Sequence, residues 1–347
     1  MEPQIQYATT SDGVNVAFWA DGEGPPLVIT PSIPFGIGHL LWQLPEARPW
    51  LERPKRYMSV SYDARGTGHS ARADDLSLEG HVKDLEAVVD NLGLERFALL
   101  ATLFMGPVAI EYTARHPEHV SKLILWHSFA SGREVVETQR YQALASLRAM
   151  ASQEWELYTN TIAAQGTASA DSGLSQRLGE LFRKSVQPAD AVALMDAVRT
   201  FDATARLSAV SCPTLVLYRR AVPVSFYPPE AARTLVSGIP NARLLVLEGD
   251  SIHPFVGDWG AMARAVDDFA MGEEAPRGVA ARPAAAPDVV TVLFTDLASS
   301  TALTQQLGDA QAQELLRAHN VIVREALASH GGSEIKHTGD GIMASFT

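Results

Sequence analysis

The sequence predicts an α/β fold with a mostly parallel sheet and a helical lid, followed by a partial α+β unit. Short apolar, β-branched runs alternate with helical segments along residues 26–271, which is typical of a parallel sheet covered on both faces. A long helical stretch between residues 132 and 207 interrupts this alternation and is expected to form the lid. After an Ala- and Pro-rich stretch, one further strand-helix-strand-strand pattern follows between residues 290 and 346.

Length and composition exclude several classes of protein. The chain has 347 residues, of which 46% are hydrophobic, and a formal net charge of −12. The acidic balance and the lack of a basic run argue against nucleic-acid binding. The first residues lack the basic start and apolar core of a signal peptide, and no apolar run approaches the ~18 residues of a membrane span. The single cysteine, Cys212, cannot form an internal disulfide, so we expect a cytoplasmic protein without nucleic-acid or membrane partners.

Each element of the first part rests on a local pattern. Strands are predicted where short apolar runs are bounded by turn residues, at residues 5–9, 14–19, 26–30, 57–62, 97–101, 120–126, 214–218 and 243–247. Helices are predicted at residues 78–92, 106–116, 229–236 and 259–271. The first two strands flank Ser11-Asp12-Gly13, which predicts an antiparallel hairpin ahead of the parallel strands.

The second part begins with the apolar, β-branched run at residues 290–295, which predicts a buried strand. Ser299, Ser300 and Thr301 can then cap a helix, which Gly331-Gly332 ends. Two more strands, at residues 333–338 and 342–346, flank the tight hairpin turn Gly339-Asp340-Gly341.

Two carboxylates stand beside these elements, Asp296 after the first strand and Asp340 in the hairpin turn. In a split βαβ arrangement the first two strands are parallel and the third lies between them, so both carboxylates are expected at one sheet edge. Two carboxylates facing the start of a helix suit a divalent metal ion and a triphosphate. A generic ferredoxin-like fragment with a turn aspartate and a surface lysine is the simpler alternative.

These motifs resemble a class III adenylate/guanylate cyclase domain. Phe294-Thr295-Asp296-Leu297 with Ser299-Ser300-Thr301 resembles that family's first metal site and phosphate loop, and Lys336-His337-Thr338-Gly339-Asp340 resembles its second metal site. The resemblance implies that Asp296 and Asp340 bind two Mg²⁺ (or Mn²⁺) ions with help from the Leu297 carbonyl. It also implies that Lys336 reads the adenine of ATP and that the domain works as a homodimer.

The predicted domain boundaries follow from composition and from this resemblance. Residues 1–272 form the first domain, residues 273–288 an Ala/Pro-rich linker, and residues 289–347 the N-terminal part of the cyclase domain. The last segment holds one β-α-β-β unit, whereas a ferredoxin-like cyclase core needs a further helix and strands. We therefore expect this part of the cyclase domain to be incomplete and inactive by itself.

The first domain resembles the α/β-hydrolase fold over roughly residues 3–271. The resemblance rests on Asp63-x-Arg65-Gly66-x-Gly68-x-Ser70 after a strand, on the strand-turn-helix at residues 97–116, and on a late His253. Hydrolysis on this fold needs a nucleophile, an acid and a histidine in that chain order.

Two of these three roles are empty in the sequence. Leu103 stands at the nucleophile position with bulky Phe104 beside it, and Val222 stands where the family places the acid. Ser32 is expected near the oxyanion site, or is an ordinary loop serine. A nucleophile at Thr102 requires a one-residue shift that turns the side chain to another face.

These residues predict a cavity with an apolar floor of Leu103 and Phe104 that binds a small apolar ligand instead of hydrolysing it. The resulting hypothesis is a signalling protein in which the hydrolase-like domain senses a ligand and regulates a cyclase making cyclic AMP from ATP. The alternatives are a binding protein or an atypical hydrolase centred on His253, with the cyclase part vestigial.

Overall fold

The computed structural model describes residues 2–53, 55–138, 148–167, 172–220, 228–272, 291–294, 300–330, 332–337 and 342–346. The chain divides into two compact units, Met1–Glu273 and Glu274–Thr347. The predicted linker, residues 273–288, lies outside the described residues. Among the helices that the structure describes, none combines the length and apolar character needed to cross a membrane.

The strands of the first unit are β1 (Gln6–Thr9), β2 (Asn15–Asp21), β3 (Pro26–Ile29), β4 (Met58–Tyr62), β5 (Phe97–Thr102), β6 (Val120–Trp126), β7 (Thr214–Arg219) and β8 (Ala242–Leu247). Within the described residues they form one sheet in the order β1-β2-β4-β3-β5-β6-β7-β8. The pairs β1-β2 and β2-β4 are antiparallel, and all later pairs are parallel. This sheet confirms the predicted fold class.

Helices of the first unit cover both faces of the sheet and its cavity end. They are α1 (Arg48–Leu51), α2 (Leu78–Asn91), α3 (Gly106–Arg115), α4 (Arg133–Val136), α5 (Arg148–Ala151), α6 (Trp155–Thr167), α7 (Ser172–Ser185), α8 (Pro188–Val198), α9 (Pro229–Gly238) and α10 (Trp259–Met271). Single 3₁₀ turns lie at Leu40–Gln43, Pro45–Ala47, Leu103–Met105 and Thr204–Ala209. Helices α5 to α8 form the predicted helical insertion between β6 and β7.

The core lies between the central strands and the flanking helices. Strand β5 is buried along Phe97–Ala101 and continues directly into the Leu103–Met105 turn. The buried strand therefore fixes the position of this turn at the end of the sheet. In α2, Val82, Leu85 and Val89 recur every three or four residues and are buried, which gives the helix one apolar face against the sheet.

Arg65 holds the turn after β4 from within. Its side chain is fully buried, and its Nε donates to Asp84 Oδ1 at 2.9 Å, while Nη1 donates to Asp12 Oδ2 at 3.0 Å and to the Asp75 carbonyl at 2.9 Å. The Arg65 side-chain hydrogen bond holds the pKa of Asp12 well below its usual value. The glycine-rich motif after β4 is therefore a structural anchor in this chain.

The second unit contains β9 (Thr291–Phe294), α11 (Ser300–Ser329), β10 (Gly332–His337) and β11 (Ile342–Phe346). Its sheet has the order β10-β11-β9, with β11 antiparallel to both neighbours. Strands β9 and β10 are therefore parallel, with the third strand between them, as the split βαβ arrangement predicts.

Helix α11 is not continuous, which corrects the single uninterrupted helix expected here. Gly308 has φ 75° and ψ 160°, which breaks the helical backbone after its first turns. Beyond the break, Ala312 and Leu327 are buried, whereas Leu315 and Ile322 are exposed. A glycine tolerates this φ without the Cβ clash that other residues suffer, which explains the break at this position.

Candidate functional site

Leu103 occupies the sharp turn where β5 ends and α3 is about to begin. Its φ of 53° lies in the left-handed region, which costs a residue with a Cβ about 1–2 kcal/mol. Such strain persists only where the surrounding fold fixes the backbone, and it is typical of functional turns. The strand-turn-helix geometry of a nucleophile elbow is therefore present, with an aliphatic side chain at its tip.

The turn is supported from the end of β6. Ser128 Oγ donates to the Leu103 carbonyl at 2.9 Å. Gly106, the first residue of α3, permits this approach, because a Cβ there would lie 1.7 Å from Ser128 Oγ. Phe104 packs edge-on against Phe129 with ring centroids 5.9 Å apart. The turn is thus a packed, specific structure in spite of the missing nucleophile.

Thr102 takes part in positioning the loop after β3. Its backbone N–H donates to Thr30 Oγ1 at 3.0 Å, and its hydroxyl approaches the carbonyls of Thr30 and Pro31 at 3.2 and 3.1 Å. A hydroxyl that donates to these carbonyls holds the loop that carries Ser32. This arrangement gives Thr102 a structural role, and its hydroxyl hydrogen bonds to described residues go to backbone carbonyls, which are not general bases.

His253 lies in the same cavity, but its Nε2 atom is enclosed. Nε2 is buried and has no hydrogen-bond partner among the described residues. The lid covers it at Gly166 of α6, where a Cβ would lie 2.9 Å from Nε2. Burial, with a smaller contribution from the positive charge of Arg219, lowers the pKa of His253 to about 4. The imidazole is therefore neutral at neutral pH.

Arg219, at the end of β7, anchors the loop that carries His253. Its side chain is 1% exposed, and Nη1 donates to the carbonyls of Ser251 and His253 at 3.0 and 3.1 Å. Trp126 Nε1 donates to the Ile252 carbonyl at 2.8 Å and supports the same loop. A buried cation thus lies close enough to His253 to disfavour protonation of its imidazole.

The same loop is fastened to the lid. Ser251 Oγ donates to the Gly166 carbonyl at 2.8 Å, and the Ile252 N–H donates to the same oxygen at 3.1 Å. Lid helix α6 and the His253 loop are therefore joined by two hydrogen bonds to one carbonyl oxygen.

A cavity of about 250 Å³ lies between the sheet edge and the lid. Its lining is mainly apolar and aromatic, including Trp19, Phe35, Trp42, Tyr158, Phe182 and Met195. Phe35 and Phe182 stack with centroids 4.1 Å apart, which joins a loop of the sheet edge to lid helix α7. A cavity of this kind binds compact apolar molecules by burial and shape.

The structure brings together four of the residues predicted for this pocket. Ser32, Leu103, Phe104 and His253 all line the cavity. Val222 lies outside the described residues. Sequence reasoning did not identify Arg219 or Gly166. The available signal was the pair of arginines directly after an apolar strand, since a charge in that place must find buried acceptors.

In the second unit, β9 and β10 end at one edge of the sheet. Lys336 pairs with Met343, which pairs with Phe294, so these three residues form one row across the strands. The register shifts between Glu334 and Lys336, which places a bulge directly before the lysine. Bulges of this kind are frequent beside functional sites because they redirect the strand.

Only some of the residues predicted to bind metal ions and phosphate belong to the part of the chain that the structure describes. Asp296, Leu297, Ser299 and Asp340 lie outside the described residues. Ser300 and Thr301 begin α11, so their backbone is helical. Asp296 follows Phe294 by two positions and Asp340 follows His337 by three, and these are the two strand ends that share an edge.

Family models match both units. Residues 25–155 match the alpha/beta hydrolase fold, and residues 283–347 match the adenylate and guanylate cyclase catalytic domain. The chain is 26% identical to the AB hydrolase superfamily protein YisY of Bacillus subtilis (strain 168) over 69% of this chain and 89% of that protein. It is also 26% identical to a putative carbamate hydrolase, RutD, of Variovorax paradoxus (strain S110), over 74% and 95%.

Solved structures show the same fold. An esterase from Exiguobacterium antarcticum superposes with a TM-score of 0.66 at 20% identity, covering 77% of this chain and all of that one (100%). The esterase RhEst1 from a Rhodococcus species gives a TM-score of 0.66 at 21% identity, over 78% and 99%. The first unit therefore has the α/β-hydrolase fold, and residues 283–347 of the same chain match the adenylate and guanylate cyclase catalytic domain.

Proposed function

We propose that this chain is part of a signalling protein in which a hydrolase-like unit binds a small apolar ligand and regulates a nucleotide cyclase making cyclic AMP from ATP. The observation that carries the proposal is Leu103 at the elbow with a φ of 53°. The fold keeps the strained turn, yet the side chain there has no lone pair with which to attack a carbonyl. A preserved cavity without a nucleophile is suited to binding.

The state of His253 supports the same conclusion. Its Nε2 packs against Gly166, and the positive charge of Arg219 adds to the effect of burial in lowering its pKa. A general base needs an accessible nitrogen, and an imidazolium formed beside Arg219 would be destabilised by charge repulsion. Helix α6 is hydrogen-bonded to the loop that carries His253. A ligand that contacts the lid would therefore also affect this loop, which gives a physical route for transmitting ligand binding through the first unit.

In the cyclase segment, Asp296, Asp340 and the Leu297 carbonyl would hold two Mg²⁺ (or Mn²⁺) ions. Ser299, Ser300 and Thr301 at the start of α11 would hold the triphosphate, since helix N-termini favour anions. The metal ions supply charge neutralisation and activation of the ribose hydroxyl. Lys336 would select adenine, and a homodimer would complete the site. The common edge of β9 and β10 supports this grouping.

An atypical hydrolase centred on His253, with a vestigial cyclase segment, is the competing function. The similarity to a protein of the AB hydrolase superfamily and to a putative carbamate hydrolase favours it. Hydrolysis of p-nitrophenyl acetate distinguishes the two. We expect no rate above the uncatalysed background, and a rate abolished by His253→Ala would establish the hydrolase instead.

Ligand binding is tested with two variants of the same lid helix. Ile162 lines the cavity, whereas Leu157 is 52% exposed, so Ile162→Trp fills the cavity and Leu157→Trp does not. A thermal-shift screen of small aromatic and short-chain acyl compounds should give hits with the wild type and Leu157→Trp. Ile162→Trp should lose them. Hits that persist in Ile162→Trp would place the ligand elsewhere.

The cyclase assignment is tested with ATP and Mg²⁺ or Mn²⁺ in a chain that carries a complete cyclase domain. We expect cyclic AMP formation that Asp296→Ala abolishes, and a rate that changes when a cavity ligand is added. Lys336→Glu should reduce the preference for ATP over GTP. Cyclic AMP formation that survives Asp296→Ala would refute the assigned site, and a rate insensitive to a bound cavity ligand would refute regulation.

A further inference from the structure

Three metal-ligating side chains meet away from the cavity, in the turn between α3 and β6. One ligand atom each from His116, Glu118 and His119 lies within 4.8 Å of the others. Glu118 Oε1 is 3.6 Å from His116 Nδ1 and 3.8 Å from His119 Nε2. Ligands placed tetrahedrally at about 2.0–2.1 Å from zinc are roughly 3.4 Å apart. A rotation of the exposed Glu118 side chain can shorten both of its distances toward this value, and the two histidine nitrogens already lie within 4.8 Å of each other.

The other nitrogen of each imidazole already faces an oxygen. His119 Nδ1 is 2.9 Å from the hydroxyl of buried Tyr112, and His116 Nε2 is 3.4 Å from Glu86 Oε1 of α2. Histidines that bind metals usually have their second nitrogen held by an oxygen of this kind, which fixes the ring and its tautomer. The two rings are parallel within 10°, with centroids 5.3 Å apart.

The backbone of this turn is fixed independently of any ligand. The His119 N–H donates to the His116 carbonyl at 3.1 Å, and the His119 carbonyl accepts from the N–H of Phe97 in β5 at 2.9 Å. Between these two histidines, the ring of Pro117 fixes its own backbone angle φ. A rigid turn loses little conformational entropy on binding, so the backbone that carries the three side chains is preorganised.

We propose that His116, Glu118 and His119 form a binding site for a divalent transition-metal ion of the zinc class. Two imidazoles and one carboxylate form a borderline donor set that suits such ions, and they leave a fourth position for water. The ion would tie the end of α3 to the start of β6, with Glu86 extending the link to α2. The site is independent of the cavity and of the cyclase segment.

The full chain, stripped with a chelator and then supplied with Mg²⁺ to occupy any magnesium sites, is titrated calorimetrically with Zn²⁺. We expect the wild type to bind one more equivalent than His119→Gln. Glu118→Gln should weaken binding at least about 10-fold, since ligand loss costs no less than loss of a supporting residue. The exposed His330 is the matched control, and His330→Gln should keep the wild-type stoichiometry.

Unfolding curves measured in chelator show whether the variants are folded, and the backbone bonds of the turn do not depend on the side chain at 119. Co²⁺ gives a second readout, since a tetrahedral cobalt site absorbs visible light strongly. We expect this band in the wild type and in His330→Gln, and its loss in His119→Gln. Equal Zn²⁺ stoichiometry in wild type and His119→Gln, or no binding by the wild type below about 100 μM, would overturn the proposal.

Discussion

Gly166 of the lid lies against the imidazole of His253, so closely that a Cβ at Gly166 would stand 2.9 Å from Nε2. The same glycine accepts two hydrogen bonds from the His253 loop through its carbonyl oxygen. Lid and loop are therefore joined by both packing and hydrogen bonding. The nitrogen that would accept a proton in a hydrolase is covered by the backbone of α6.

Gly166→Ala tests this contact. Alanine is normally better than glycine inside a helix by about 1 kcal/mol. Here the added methyl group would press on His253 Nε2 and, at 3.2 Å, on Ile252 Cδ1. We expect a net loss of about 1–3 kcal/mol in the free energy of unfolding, measured by urea titration, because overpacking a tight contact forces its neighbours to shift.

Gly260→Ala in α10 is the control for this measurement. A Cβ at Gly260 would meet its nearest atom, Arg264 Nη1, at 3.3 Å, and that atom ends a flexible side chain. We expect this variant to be unchanged or more stable. If Gly166→Ala raises the free energy of unfolding as much as Gly260→Ala does, the lid is not in tight contact with His253.

The buried state of His253 predicts a particular sensitivity to acid. Its pKa is lowered to about 4 in the folded protein, whereas an unfolded histidine has a pKa of about 6.5. Between these pH values His253 is protonated in the unfolded chain but neutral in the folded protein. The free energy of unfolding therefore decreases as the pH falls. This contribution is fully present above pH ~6.5 and lost toward pH ~4.

His253→Phe removes this proton-binding group while retaining a ring between Phe182 and Phe255. We expect the loss in unfolding free energy between pH 7.5 and 5 to be smaller in the variant by about 1–2 kcal/mol. His127, whose pKa burial lowers to about 3, contributes equally to both proteins and cancels in the comparison. Parallel pH profiles for variant and wild type would mean that His253 has the same pKa in the folded protein as in the unfolded chain.

Much of the fold could be predicted from local sequence patterns. Strand Val120–Trp126, for example, could be predicted from its apolar run Leu123–Trp126, and its predicted bounds agree with the structure. The placement of β11 between β9 and β10 was also predictable, since a hairpin after a βαβ crossover leaves few alternatives. The break at Gly308 was missed because a lone glycine in a helical pattern does not by itself reveal its φ.

The candidate site could be predicted only where the role of a residue follows from its neighbours in the sequence. Leu103 could be placed at the elbow because Gly106 and the strand before it fix the alignment. The enclosure of His253 could not be predicted, since it depends on Gly166, which is 87 positions away in the chain numbering. Likewise, Arg219 reveals its role only when its carbonyl acceptors at Ser251 and His253 are known.

Removing the charge of Asp84 should strongly destabilise the first unit. Asp84 and Arg65 are both fully buried, and Asp84 accepts from the Arg65 backbone N–H and from Nε, each at 2.9 Å. Asp84→Asn leaves the arginine charge only partly compensated by Asp12. We expect a loss of about 3 kcal/mol in unfolding free energy, since breaking one side of a buried ion pair leaves a desolvated charge.

The exposed pair Arg220–Glu248 provides the comparison for Asp84. Its side chains are 69% and 81% exposed, so Glu248→Gln should change stability by less than about 0.5 kcal/mol. Both variants remove one negative charge, so a difference between them reports burial. Equal effects in the two urea titrations would show that the Arg65 cluster does not hold the turn after β4.

Leu103→Ser should restore the expected atom at the elbow without restoring catalysis. The new hydroxyl would lie on the strained turn, but His253 Nε2 remains packed against Gly166, and Arg219 disfavours protonation of the imidazole. Without a base to take its proton, a serine hydroxyl is a weak nucleophile. We expect p-nitrophenyl acetate hydrolysis by Leu103→Ser to equal that of the wild type, and the same for Leu103→Ser combined with Val222→Asp. A rate above background in Leu103→Ser that disappears on adding His253→Ala would show instead that the lid opens far enough to free the imidazole.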